Sequence, residues 1–350
     1  MIPLPVRCGL ILFASMFLAG CNTVVMSPSG DIAAQQSQLI VVSMLLMLLI
    51  VVPVLALTVL FAWRYRKNNT KATYTPDWDH STQLELVIWG APLLIIIALG
   101  LITWISTHKL DPYRPLDRLD AQRPIAAGTK PLTVQVVALD WKWLFIYPEQ
   151  GIATVNELVA PVDVPVRLQI TASTVMNSFY IPALAGQIYA MPGMQTTLNA
   201  VINKAGQYEG FSANYSGAGF SGMRFKFYGR TPAQFEQWVA QTKAGGGALD
   251  RAGYLVLEQP SERDPVRRYG SVAADLYDAI VNRCVDLNAV CIKDMMADDK
   301  ARASDTHAHS ANLAAPRAGQ VVARLANSTA SAEVCVTPLN SRKAQNARPY

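Results

Sequence analysis

The sequence predicts a membrane-anchored α+β protein, in which a hairpin of two transmembrane helices precedes an all-β domain and a shorter helical segment follows it. Two long apolar runs lie in the first third of the 350-residue chain, and short segments of alternating apolar and polar residues come after them. Such alternation is the pattern of a strand with one buried face. Short strands separated by turn residues predict a β-sandwich or β-barrel.

The N-terminus has the features of a lipoprotein signal peptide. Arg7 precedes the apolar stretch Leu10–Leu18, which is too short to cross a bilayer. The sequence Leu-Ala-Gly-Cys at 18–21 matches a bacterial lipobox, in which the cysteine is acylated and becomes the new N-terminus. We therefore expect residues 1–20 to be removed and Cys21 to carry lipid; the alternative is a plain signal sequence with a chance cysteine. A single acyl chain anchors a protein only marginally, so we expect further anchors.

Two apolar runs within residues 21–110 provide those anchors. Residues 39–63 and 84–105 are each long enough to cross a hydrocarbon core of about 30 Å, which takes about 20 residues. Basic residues crowd the connection between them, so the positive-inside rule predicts that this connection is cytoplasmic. The lipidated N-terminus and the C-terminal domain then both lie on the periplasmic side of a bacterial inner membrane. The basic residues of the connection are Arg64, Arg66, Lys67 and Lys71.

The net charge of +5 does not require a nucleic-acid partner. The chain has 30 Lys and Arg against 25 Asp and Glu, and much of the excess lies in the cytoplasmic connection and the C-terminal tail. Membrane lipid with anionic headgroups, together with the topology, explains basic residues at such positions.

Residues 111–131 are rich in proline, aspartate and arginine and predict a linker that leaves the membrane. Residues 132–260 then predict a β domain that ends in a helix. Thr231 and Gln234 form a capping box for that helix, and an apolar face follows at helical spacing. This face is formed by Phe235, Trp238 and Val239. The predicted strands are Leu132–Leu139, Trp141–Tyr147, Val166–Thr171, Thr196–Ile202, Gln207–Phe211 and Met223–Tyr228.

Residues 261–300 predict a helical extension, and the Ala-, Ser- and Asn-rich residues 301–350 predict a disordered tail. Cys284 and Cys291 lie in the extension. An oxidising periplasm favours a disulfide, with a zinc or haem site as the alternative. On one continuous helix their Cα atoms would lie about 10 Å apart, too far for a disulfide. Pairing therefore requires a break, for which residues 286–288 are the candidate, and the sequence leaves the pairing open.

The stretch from Phe211 to Phe227, FSANYSGAGFSGMRFKF, resembles the copper loop of subunit II of haem-copper respiratory oxidases. In the cytochrome c oxidases of this family the loop carries two cysteines, a histidine and a methionine as copper ligands, and a second histidine comes from an earlier segment. A dinuclear copper site needs thiolates to bridge the metals and imidazoles to complete the coordination. The corresponding positions here are Asn177, Ser212, Ser216, Phe220 and Met223. Four of these five cannot act as such ligands, so the resemblance implies a scaffold that binds no metal; the alternative is an ordinary Gly- and Ser-rich turn.

Other segments match the same family. Residues 140–143, Asp-Trp-Lys-Trp, resemble its Trp-x-Trp strand, and residues 191–194, Met-Pro-Gly-Met, resemble its Pro-Gly turn. The four histidines and five cysteines all lie outside the central domain. The resemblance extends to about residue 260 and implies a periplasmic cupredoxin-like Greek-key barrel. Without copper, we expect Trp141 and Trp143 to be packing residues.

Within this family, the missing copper ligands point to the quinol oxidases, whose subunit II carries no copper. The resemblance implies subunit II of a proton-pumping ubiquinol oxidase of the cytochrome bo type, which oxidises ubiquinol and reduces oxygen to water in the aerobic respiratory chain. Haems and the catalytic copper would lie in subunit I, and subunits III and IV would be further partners. We expect no catalytic residue and no bound cofactor in this chain.

Glu85 is the only charged residue of the second apolar run and lies at its cytoplasmic start. In this family a subunit II glutamate at the matching position marks the entrance of a proton pathway into subunit I. An interfacial carboxylate can collect protons from the cytoplasm and pass them inward through water. The alternative is an ordinary glutamate at a helix start, favoured by the helix dipole.

Two other functions stay open at this point. A rearranged copper site, with Cys284 or Cys291 and histidines of the tail as ligands, would make the chain a cytochrome c oxidase subunit. A non-catalytic membrane lipoprotein would use a decayed cupredoxin fold for assembly or partner binding. Stoichiometric copper in the periplasmic domain would favour the first, and a neighbouring gene for a histidine-rich haem-copper subunit I would favour the oxidase over the second.

Overall fold

The computed structural model describes residues 23–73, 75 and 77–302. The predicted signal peptide, the lipidation site Cys21 and nearly all of the predicted tail lie outside the described residues. The chain divides into two units, Met1–Met295 and Met296–Tyr350. In the second unit, the described residues 296–302 are helical.

Two long helices begin the described chain, α1 (Asp31–Arg64) and α2 (Thr82–Lys109). Within the described residues, these are the helices that are long and apolar enough to cross a membrane. The 34 residues of α1 rise about 51 Å at the usual helical pitch, well beyond a hydrocarbon core. Helix α1 begins eight residues before the predicted apolar run at 39, and these added residues include Gln35, Gln36 and Gln38.

The residues before α1 are attached to the β domain by backbone hydrogen bonds. The amides of Ser29 and Gly30 both donate to the Ala183 carbonyl, at 3.0 and 3.1 Å. A Cβ atom on Gly30 would lie 2.5 Å from the carbonyl oxygen of Val201, so only glycine allows this approach. The start of α1 is thereby fixed to the barrel through the main chain.

The β domain contains twelve strands in the described residues, arranged in two sheets. The strands are β1 (Leu132–Leu139), β2 (Lys142–Tyr147), β3 (Ile152–Val155), β4 (Glu157–Pro161), β5 (Pro165–Ala172), β6 (Asn177–Tyr180), β7 (Ile188–Ala190), β8 (Thr196–Val201), β9 (Gly206–Ser212), β10 (Arg224–Arg230), β11 (Gly247–Leu249) and β12 (Arg267–Val272). The larger sheet has the order β11-β12-β3-β2-β1-β5-β8, and the smaller sheet has the order β4-β10-β9-β6-β7. The pairs β1/β5 and β4/β10 are parallel, and most others are antiparallel.

The core between the sheets is built from aromatic rings. Trp143 and Phe145 of β2 face Phe179 of β6 and Phe225 of β10, with a Trp143–Phe179 centroid distance of 5.3 Å and a stacked Phe179–Phe225 pair at 5.4 Å. All four side chains are buried. Large aromatic rings contribute much of the apolar area that a small core can bury. Phe179 of this cluster is opposite Ser212 in the pairing of β6 with β9, so the cluster adjoins a copper-ligand position.

Shorter helices follow β10, among them α3 (Pro232–Gly245), α4 (Arg251–Glu258) and α5 (Leu276–Val281), and residues 292–302 are helical as well. The predicted capping box of α3 is present, with the Gln234 amide donating to Thr231 Oγ1 at 3.3 Å. Its predicted apolar face is buried, and Trp238 packs edge-on against Tyr147 at 5.4 Å. Helices α4 and α5 cover the outer face of the larger sheet, where Tyr254 and Tyr277 form a second core.

The prediction of a helical extension over 261–300 was wrong in its first part. Residues 267–272 form β12, which pairs with β3 and extends the larger sheet beyond it. The Arg268 guanidinium on this strand forms a bidentate ion pair with the carboxylate of the buried Glu157, with N–O distances of 2.6 and 2.7 Å. The ion pair with Glu157, which lies 111 positions away in the sequence, holds residues 267–272 as a strand beside β3.

The two cysteines of the extension form a disulfide, with Cα atoms 4.9 Å apart. The helix that precedes them ends at Val281, five residues earlier than the break that the sequence predicts. Arg283 then adopts a φ of 54°, in the left-handed region, which turns the chain back. A turn also forms at 286–288, where the Asn288 amide donates to Asp286 Oδ1 at 2.9 Å.

Candidate functional site

Three of the five copper-ligand positions come together at one end of the β domain. Asn177 begins β6, Ser212 ends β9 and Met223 lies just before β10. The Ser212 amide donates to the Met223 carbonyl at 3.2 Å, and β6 pairs with β9. The three side chains are only 2, 3 and 1% exposed respectively. The strand pairing that brings metal ligands together in such a scaffold is therefore present.

A hydrogen bond joins two of these positions directly. The Ser212 hydroxyl donates to Asn177 Oδ1 at 3.1 Å, and the Asn214 carbonyl is a second acceptor at 3.2 Å. The Asn177 amide nitrogen donates in turn to the Val175 carbonyl at 3.1 Å. The pair is uncharged and satisfies its own polar atoms. It offers no thiolate or imidazole, so these residues do not fit a dinuclear copper centre.

The other two positions lie in the loop between β9 and β10. Phe220 starts a short 3₁₀ turn and packs edge-on against Tyr215 at 5.7 Å. The Ser216 hydroxyl is buried and has no hydrogen-bond partner among the described residues. Neither side chain resembles a ligand poised for a metal, because one is aromatic hydrocarbon and the other a neutral hydroxyl.

Trp141 holds this loop in place. Its indole Nε1 donates to the Ser216 carbonyl at 3.1 Å, and the ring lies against two glycines of the loop. A Cβ on Gly219 would lie 2.5 Å from the ring, and Gly217 has a φ of +113°. Trp143 is a packing residue as predicted, whereas Trp141 also fixes the loop by a hydrogen bond. The glycine pair is the sequence feature that could have revealed this contact.

A shallow cavity of about 290 Å³ opens beside three of the copper-ligand positions, Ser212, Phe220 and Met223. Its one ionised side chain, Arg224, lies over the Phe211 ring at 5.3 Å and pairs with Glu209 at 3.1 Å. Over residues 23–73, 75 and 77–302, no group of three or more His, Cys, Asp or Glu side chains could hold a metal ion. Cys284 and Cys291 are joined as a disulfide, so neither supplies the thiolate that a rearranged copper site would need.

The burial of Lys142 was not predicted from the sequence. This residue begins β2, between Trp141 in the preceding turn and Trp143 in the strand. Its Nζ donates to the Gln259 carbonyl at 2.7 Å and to Ser261 Oγ at 2.6 Å, and lies 3.7 Å from the Asp264 carboxylate. Burial lowers the pKa of Lys142, and the negative charge of Asp264 opposes this effect. The lysine ties the loop end of the barrel to the segment after α4. No spacing rule predicts such a contact.

Glu85 lies in the first turn of α2, at the opposite end of the hairpin from the β domain. Its Oε1 is 2.9 Å from Nδ1 of His80, and both side chains are more than half exposed. The other ring nitrogen of His80 lies 3.2 Å from Thr82 Oγ1. The sequence singled out the glutamate and did not reveal its histidine partner.

Comparisons with known proteins agree with this geometry. A family model described as the periplasmic domain of cytochrome c oxidase subunit II matches residues 149–227, and one described as the COX aromatic rich motif matches residues 243–288. The chain is 49% identical over 281 residues to the cytochrome bo(3) ubiquinol oxidase subunit 2 of Pseudomonas putida, covering 80% of this chain and 87% of that protein. It is 47% identical over 270 residues to the ubiquinol oxidase subunit 2 of Acetobacter aceti, covering 77% and 85%.

Among solved structures, the periplasmic domain of subunit II of the cytochrome oxidase of Bradyrhizobium japonicum matches 35% of this chain and 96% of that domain. The identity is 25% and the TM-score is 0.32.

Proposed function

The chain belongs to the subunit II family of the ubiquinol oxidases, and we propose on that premise that it is the copper-free subunit II of a haem-copper complex that transfers electrons from ubiquinol to oxygen. The observation that carries the proposal is the hydrogen-bonded pair of Ser212 and Asn177, which stands where copper ligands would be. The haems and catalytic copper belong to subunit I, and this chain holds no electron-transfer cofactor. The predicted oxidoreductase function is confirmed by the relatives.

The chemistry of the donor explains why such a subunit functions without copper. Ubiquinol is dissolved in the bilayer and reaches the membrane-embedded subunit directly. An electron relay at the periplasmic surface is needed only when the donor is a water-soluble protein. The β domain then serves as a periplasmic cap and a surface for assembly, and its aromatic core and Trp141–Ser216 contact keep it folded without a metal.

The chain is held at the inner membrane by three anchors in this proposal. The helices α1 and α2 cross the bilayer, with the basic connection on the cytoplasmic side, and the lipid on Cys21 is the third anchor. Arg66 lies over the Trp63 ring at 5.4 Å, an arrangement suited to the interface between headgroups and acyl chains. The lipid-facing and partner-facing surfaces of the helices would contact subunits I, III and IV and the surrounding phospholipid.

Glu85 is the proposed entrance for protons that the complex takes up and translocates. Its carboxylate is half exposed and lies on the side of the basic connection, so cytoplasmic water can reach it. An unprotonated Glu85 Oε1 accepts a proton from water or from His80 Nδ1, 2.9 Å away. The proton then continues through water into subunit I.

Two experiments test the proposal. Gentle solubilisation and purification through a tag on this chain should recover a haem protein that consumes oxygen with ubiquinol; recovery of the chain alone would leave the non-catalytic lipoprotein. In the same complex, Glu85→Gln should lower quinol-driven oxygen uptake severalfold and alter its pH profile, while the haem content stays normal. Glu236→Gln, on the exposed face of α3, is the matched control. Unchanged turnover in Glu85→Gln would refute the proton role.

A further inference from the structure

Three methionines, Met176, Met191 and Met194, lie on connected segments of the chain at the copper-position end of the β domain. Met176 directly precedes β6 and Met191 directly follows β7. These strands are antiparallel, with Asn177 opposite Ala190. Met176 and Met191 are the next residue on each segment beyond this last pair, and side chains at opposing positions of antiparallel strands have Cβ atoms about 5 Å apart.

Met194 is brought to the same place by a tight turn. Its amide donates to the Met191 carbonyl at 3.4 Å. Pro192 and Gly193 occupy the two central positions, and Gly193 has a φ of +72°, which is the signature of a type II turn. The first and last Cα atoms of a β-turn lie within about 7 Å. The three methionine side chains thus start from one small area.

This area faces outward. The side chains of Asn177 and Ala190 are buried, at 2 and 0% exposure. Because side chains alternate between the two faces of a strand, the adjacent Met176 and Met191 belong to the other face. Met176 is 40% exposed and Met194 is 54% exposed, and Met191 is half-buried. The thioethers are therefore accessible from solvent rather than used to fill the core.

The turn is also supported from behind. Ile292 lies against Gly193, such that a Cβ on the glycine would be 3.0 Å from Ile292 Cδ1. Ile292 directly follows Cys291, whose disulfide to Cys284 fixes the position of that segment, and the Ile292 amide donates to the Asn282 carbonyl at 2.9 Å. The turn that carries two of the methionines is thus held on rigid neighbours, as a binding site requires.

We propose that Met176, Met191 and Met194 form a binding site for a single soft monovalent cation, Cu(I) or its analogue Ag(I). Thioether sulfur is a soft ligand that selects Cu(I) over hard cations, and the flexible methionine side chain lets three sulfurs converge. The ligands are neutral and need not lose a proton, so binding persists in mildly acidic conditions where imidazole ligands are lost. The site goes beyond the proposed function, because the cation that it binds has no part in electron transfer.

The test uses the full chain in detergent, with free thiols blocked by N-ethylmaleimide so that cysteines do not bind the metal. Cu(I) is titrated anaerobically against a coloured chelator. We expect one Cu(I) per chain, sulfur neighbours in the X-ray absorption spectrum, and at least tenfold weaker binding in the triple variant M176L/M191L/M194L. Leucine keeps a similar volume, and unchanged circular dichroism checks the fold. Met295→Leu, at a methionine that is 47% exposed, is the matched control.

Failure to compete with the chelator, equal binding by the triple variant, or equal loss in the Met295→Leu control would overturn the proposal. If neither the wild-type chain nor any variant binds Cu(I), and the triple variant also loses the haem subunit on purification, the methionines form a contact with another protein. That result would overturn the proposal. Because the titration needs no oxygen uptake, its outcome is independent of whether the chain works in a quinol oxidase.

Discussion

The Ser212 hydroxyl donates a hydrogen bond to the side-chain oxygen of Asn177 across 3.1 Å, within the buried end of the β domain. In the copper-binding members that the loop resembles, a cysteine and a histidine stand at these two positions. Buried polar atoms are stable only when they are paired. The neutral pair therefore keeps β6 and β9 together at a place where a metal would otherwise do so.

Substitution of Ser212 by alanine should loosen this end of the barrel. Asn177 Oδ1 would stay buried without its donor, which costs about 1–3 kcal/mol. Hydrogen exchange of the backbone amides in β6 and β9 should accelerate accordingly. Ser221→Ala, at an exposed position of the same loop, should have no effect. Equal protection in both variants would show that the hydrogen bond does not stabilise the site.

Trp141→Phe should release the loop between β9 and β10. The variant keeps most of the ring packing but loses the hydrogen bond to the Ser216 carbonyl, worth about 1 kcal/mol. We expect faster exchange of loop amides such as Phe220, whose amide donates to the Gly217 carbonyl at 3.2 Å. Trp78→Phe, at an exposed tryptophan, is the control. Unaltered loop exchange would mean that ring packing alone holds the loop.

Gly30→Ala should detach the start of α1 from the β domain. The new methyl would lie 2.5 Å from one backbone carbonyl oxygen and 2.9 Å from another, so the hydrogen bonds of Ser29 and Gly30 cannot form in their present geometry. Limited proteolysis before α1 should become faster. In Gly247→Ala, where no atom lies within 4 Å of the added Cβ, cleavage should stay at the wild-type rate. Resistance of Gly30→Ala to cleavage would contradict the proposed attachment.

Glu258→Gln should stabilise the β domain at neutral pH. Burial raises the pKa of Glu258; the hydrogen bond from Tyr254 opposes this rise and the charge of Asp140 adds to it. A raised folded-state pKa means that the ionised form is disfavoured in the folded protein. The penalty is therefore absent below the ordinary value of 4.5 and develops as the pH rises through the folded-state pKa.

Thermal unfolding followed at several pH values checks this prediction. The glutamine variant should unfold at a higher temperature than wild type at neutral pH, and the difference should vanish in acid. Glu236→Gln on α3 should show no such dependence. A constant difference across the pH range would indicate a packing effect instead.

The sequence reveals the regular parts of this fold and misses the parts that tertiary contacts decide. Strand β1 has the predicted bounds because its polar and apolar residues alternate at its start. Strands β3 and β4 are buried throughout and show no alternation, and Asn156 between them breaks the run with a φ of 56°. Strand β12 escapes prediction for a related reason, because its pairing with β3 and its ion pair to Glu157 join residues far apart in the chain.

The candidate site follows the same division. Asn177, Ser212 and Met223 were predicted because the copper-ligand pattern of the family that the loop resembles has fixed spacing, and strand pairing brings its positions together. The contact between Trp141 and the Ser216 carbonyl spans 75 residues, and the burial of Lys142 depends on a segment more than a hundred residues away. Such contacts have no local signature in the sequence.

The electron donor that the purified complex accepts distinguishes a quinol oxidase from a cytochrome c oxidase most directly. Oxygen uptake is measured with ubiquinol and, separately, with reduced cytochrome c, in the complex that co-purifies with this chain. We predict uptake with ubiquinol and none above background with cytochrome c, because a subunit II without copper would not connect a soluble donor to subunit I. Sustained uptake with cytochrome c would contradict this prediction and would mean that the β domain transfers electrons after all.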